Sequence, residues 1–76
     1  MTNEEYKVRK LLTNIAEYYR EIYNLALDTE NLSQDPEQDN LEVNLPKVQN
    51  NLATMGALKR RIEEGSAEIS ALLLNI

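Results

Sequence analysis

The chain has 76 residues with 13 acidic and 8 basic side chains, a formal net charge of -5, and 42% hydrophobic residues. It contains no Cys, His, Trp or Phe, which excludes disulfide staples, thiolate or imidazole metal sites, and Cys- or His-based nucleophilic catalysis. The length allows one domain, residues 1-76, and a domain this small hides only about 60% of its unfolded surface when it folds alone.

The first segment predicts a helix over about 3-32. Val8, Leu11, Ile15, Tyr18, Ile22, Leu25, Thr29 and Leu32 follow an unbroken three-four spacing, and no Pro or Gly interrupts it. Thr2 or Asn3 caps it, with Glu4 and Glu5 in the first turn, where negative charge suits the helix dipole. Leu12, Tyr19 and Ala26 widen the apolar face along one edge, and Ala16 and Tyr23 widen it further. A face this wide suits a helix with two neighbours.

The connector, about 33-45, holds Asp35, Glu37, Asp39 and Glu42 and no base. Along the chain the net charge therefore runs -2, -4 and +1 over residues 1-32, 33-45 and 46-76. Asp35-Pro36 and Asp39-Asn40 are turn chemistry. Leu41, Val43 and Leu45 alternate with polar residues, which fits a loop tucked against the helices, a short edge strand, or a helical extension ahead of Pro46.

The second helix is expected over about 46-75, capped by Asn44 with Pro46 in its first turn. Its stripe reads Val48, Leu52, Met55, Leu58, Ile62, Ile69, Leu72 and Ile76, with Gly65 where another large residue is due. Either the helix runs through Gly65 and the backbones approach there, or Gly65 ends one helix and Ser66 caps another. The last stretch, residues 71-76, is apolar nearly all round and is expected to be covered.

The expected fold is all-α: an antiparallel hairpin of two long helices, assembling as a homodimer into a four-helix bundle. With the turn near residue 39, positions summing to about 78 should face each other, Ile22 with Met55 and Gly56 among them. The helix-helix interface is assigned to Val8, Leu11, Ile15, Tyr18, Ile22 and Leu25 against Val48, Leu52, Met55, Ile62 and Ile69.

The candidate partner surface is Tyr19 and Tyr23 with Asp35, Glu37, Asp39 and Glu42, since Tyr joins a large apolar area to a polar tip. Lys59-Arg60-Arg61 is followed by Glu63 and Glu64 and reads as a solvated face rather than a phosphate site. Asp35, Glu37 and Asp39 alternate like calcium ligands, but Asn40 stands where such a loop needs Gly and Pro46 where it needs Glu. Glu17 and Glu21 lack the His that a carboxylate-bridged di-metal bundle adds.

No cofactor, metal or catalytic residue is assigned, and the chain is read as a non-enzyme. The expected activity is self-association and binding of a partner protein, as an adaptor, chaperone or scaffold, with no direct contact to nucleic acid or membrane. The alternative is an acidic inhibitor that occupies a basic or nucleic-acid-binding site on a target. In size and layout, though by no shared motif, the chain is similar to small helical export chaperones and small phage-encoded helical proteins. The acidic start and the lack of a long apolar run predict a cytoplasmic protein.

Overall fold

A computed structural model describes residues 2-34 and 41-76, with the side chains of 41-43 outside the description. Two helices, α1 (Asn3–Ser33) and α2 (Leu41–Leu73), lie antiparallel along each other. Their Cα extents are 55 × 16 × 11 Å. The radius of gyration is 17.3 Å, against about 11 Å for a compact chain of this length.

Thr2 is the N-cap of α1: its hydroxyl accepts from the Glu5 N–H at 3.2 Å, and its carbonyl accepts from the Tyr6 N–H at 3.1 Å. At the other end the last carbonyls find separate donors. The Ser33 hydroxyl donates to Glu30 O at 2.7 Å and the Gln34 N–H to Asn31 O at 3.3 Å. Asn44 reaches across from α2 and donates its Nδ2 to Leu32 O at 3.2 Å. Asn44 is thus buried inside α2 and finishes α1, rather than capping its own helix as expected. The exchange is sound because the final four carbonyls of a helix have no partner within it.

The second helix begins five residues earlier than predicted, at Leu41. The helical extension is therefore the arrangement adopted ahead of Pro46, and the loop and edge-strand readings fail over 41-45. Pro46 sits inside the helix, where it cannot donate to the carbonyl of Glu42. The turn chemistry expected at Asp35-Pro36 and Asp39-Asn40 lies outside the described residues.

The seam takes one stripe from each helix. Val8, Leu11, Ile15, Tyr18, Ile22, Leu25, Thr29 and Leu32 are half-buried on α1, as the spacing predicts. On α2 the seam is Asn44, Val48, Asn51, Met55, Leu58, Ile62, Gly65, Ile69 and Leu72. Among the described residues only Leu58 and Ile62 are buried apolar side chains, and none of α1 is fully buried.

The helix runs unbroken through Gly65, which is buried. A Cβ there would meet Ile15 Cδ1 and Cγ1 at 3.4 Å, so Ile15 packs directly on the α2 backbone. Gly56, by contrast, has nothing within 4 Å of where a Cβ would lie. Gly56, set opposite Ile22 by the sequence estimate, makes no such contact, and of the two readings of Gly65 the close approach is the one adopted. Ile15 with Gly65, like Thr29 with Asn51, sums to 80, so the register is displaced by about two residues from the sequence estimate. Gly65→Leu should overpack this contact and cost about 1–3 kcal/mol in urea unfolding followed by helical circular dichroism. An unchanged midpoint would mean that the helices do not touch there.

Candidate functional site

One polar layer interrupts the seam near the connector. Asn51 Nδ2 donates to Asp28 Oδ2 at 2.9 Å and to Thr29 Oγ1 at 3.1 Å, while the Thr29 hydroxyl donates to Leu25 O at 2.7 Å. Leu52, assigned to the helix-helix interface from the sequence, is 55% exposed. The three-four rhythm through Val48, Met55, Leu58 and Ile62 brings Asn51 inward, and Leu52 lies about 100° round the helix from it. Thr29 was the one visible signal, a polar residue in the α1 stripe that requires a polar partner. Of the other assigned seam residues, Ile62 is buried and Val48, Met55 and Ile69 are half-buried.

The two flanks of the seam differ in chemistry. On one, Leu11, Asn14, Ile15, Tyr18, Arg61, Glu64, Gly65 and Glu68 line a groove of about 280 Å³ rich in charge. There the Arg61 guanidinium lies 6.0 Å from the centroid of the Tyr18 ring, at the outer reach of a cation–π contact. The register brings this pair together across the seam.

On the other flank, Tyr19, Ile22, Met55, Gly56, Lys59, Ile62 and Glu63 line a mostly apolar groove of about 450 Å³. Gly56 leaves its floor open because no side chain from α1 fills the space above it. Along this flank of the hairpin Tyr19 is 59% exposed, Tyr23 64%, Leu12 52% and Leu45 42%. Leu73, Leu74 and Ile76 are also exposed, so the C-terminal stretch that composition expected to be covered is bare in the single chain.

Tyr19 and Tyr23 of the candidate partner surface therefore stand together beside this groove. Asp35, Glu37 and Asp39, and the side chain of Glu42, lie outside the described residues. Among the described residues no cluster of three or more His, Cys, Asp or Glu is placed to hold a metal ion. None of their helices is long and apolar enough to cross a membrane. Comparison with protein-family models, with curated proteins and with solved structures finds no match.

Removing the cross-helix cap tests the geometry of the connector end. Asn44→Ala should cost about 1–2 kcal/mol, because the half-buried Leu32 carbonyl loses its donor. Asn44→Asp should cost more, since a carboxylate cannot donate and places negative charge at the negative end of α1. Urea unfolding at fixed protein concentration reads both, and the reverse order would refute the cap.

Proposed function

We propose that this chain is a non-enzymatic helical interaction module that self-associates, as a homodimeric four-helix bundle, and presents its outer surface to a partner protein. The exposed apolar flank around Tyr19 and the open groove over Gly56 carry this reading. The accessible surface, 5983 Å², exceeds by roughly 1,200 Å² the approximately 4,700 Å² expected of a compact monomer of this mass. A standard protein interface hides about 800 Å² on each side, so one docked neighbour of standard size would cover about two-thirds of the surplus. Adaptor, chaperone or scaffold work in the cytoplasm is the role we assign to such a module.

A second reading, an acidic inhibitor of a basic site, is favoured by one observation: the base-free run of Asp35, Glu37, Asp39 and Glu42. Salt separates the two, because charge mimicry weakens steeply with ionic strength while apolar contact between helix faces does not.

Molar mass by size-exclusion chromatography with light scattering, over a hundredfold range of concentration, tests self-association. We expect about twice the 8.7 kDa chain mass at the upper end. A folded chain that stays at 8.7 kDa throughout would refute it.

A further inference from the structure

We propose that the second copy lies antiparallel on the Tyr19 flank, about a twofold axis that crosses the hairpin at the level of Tyr19 and Lys59. This rests on the self-association proposed above and adds the face, the direction and the residue pairing.

The two exposed rows of this flank are each compatible with a twofold axis. An isologous contact places a patch against itself, so an antiparallel row must read compatibly in both directions about its centre. On α1 the row is Leu12, Tyr19 and Ala26, with the exposed Tyr23 beside it. Folded back on itself about Tyr19, it sets Leu12 against the other copy's Ala26 and places Tyr19 against its own counterpart. Leu12 thus meets a small residue, the alternation that lets facing layers interdigitate. On α2, Leu45 and Leu73 are the exposed apolar ends of the corresponding row, and Leu52 and Ser66 lie within it. Folded about Lys59, that row sets Leu45 against Leu73 and Leu52 against Ser66.

The two centres lie close together in space. Tyr19 and Lys59 line the same groove. A single axis across the hairpin therefore serves both rows to within about two residues, near mid-length, so the two rods overlap along most of their length. Glu63 lines the groove one turn from Lys59, which gives each Lys59 near the axis a counter-charge from the facing copy.

Charge selects the same direction. The connector residues Asp35, Glu37, Asp39 and Glu42 carry most of the net negative charge. Antiparallel docking sends the two connectors to opposite ends, separated by about 40 Å of helix and thus well beyond a Debye length of about 8 Å. Parallel docking would bring eight acids together at one end.

The chain has no cysteine, so introduced thiols report cleanly. A Leu45→Cys, Leu73→Cys double variant should oxidise to a covalent dimer, while either single variant should not. Within one chain the two thiols are about 42 Å apart along α2, so they cannot pair internally. Tyr19→Glu should weaken dimerisation at least tenfold and keep its helix content, because Tyr19 is largely exposed in the single chain. A wild-type dimer with no covalent product from the double variant, or one indifferent to Tyr19→Glu, would overturn this face while leaving self-association standing. A ladder of higher covalent species would show open head-to-tail stacking and overturn the twofold axis. A wild-type monomer at every concentration would overturn both proposals.

Discussion

Two helices packed side by side can hide only one stripe of each from water, and the remaining features of this chain follow from that limit. The seam runs the full length of α1 and α2, yet it buries outright only Leu58 and Ile62 among the described apolar side chains. Each such burial contributes about 1.5–3 kcal/mol, whereas ordering costs about 1–2 kcal/mol for every residue fixed. A single-layer hairpin is therefore poorly provided with core. The apolar flank beside the seam is the available remedy, and covering it is the physical reason to expect a second layer of helices.

Polar and small residues give the seam its register. At the connector end Asn44 completes the last turn of α1, and Asn51 bridges Asp28 and Thr29. Sliding one helix along the other would strand these groups without partners, and a buried unpaired amide or carbonyl costs about 1–3 kcal/mol. Toward the far end Gly65 admits Ile15 onto the backbone, a contact that a one-residue slip would replace with a side-chain clash. Polar specification at one end and steric specification at the other hold a seam that apolar contact alone would leave free to slide.

Most of the architecture was legible in the sequence because periodicity reports directly on which face a helix buries. The α1 stripe, the Thr2 cap and the antiparallel pairing all followed from spacing and capping chemistry. The misreadings share one cause. Leu52 was placed by the spacing of its own helix, Gly56 by a register about two residues out, and Asn44 as a helix cap by residue type, whereas the actual register decides which neighbour faces the partner helix. Asn51 outcompetes Leu52 because Thr29 and Asp28 are waiting opposite, a fact about the other helix that the α2 sequence does not contain. Pro46 misled similarly: a single missing donor did not stop the helix from starting at Leu41. The candidate surface was half legible, since Tyr19 and Tyr23 were picked out by type, but the groove floor at Gly56 appears only once α2 lies beside them.

The central claim is that folding of this chain is coupled to covering its second apolar face. The midpoint of thermal unfolding, measured over a hundredfold range of protein concentration, tests it most directly. Coupled folding and dimerisation should raise the midpoint by about 5–10 °C across that range, because mass action adds to the stability of the assembled state. A cooperative transition whose midpoint does not move with concentration would contradict the account.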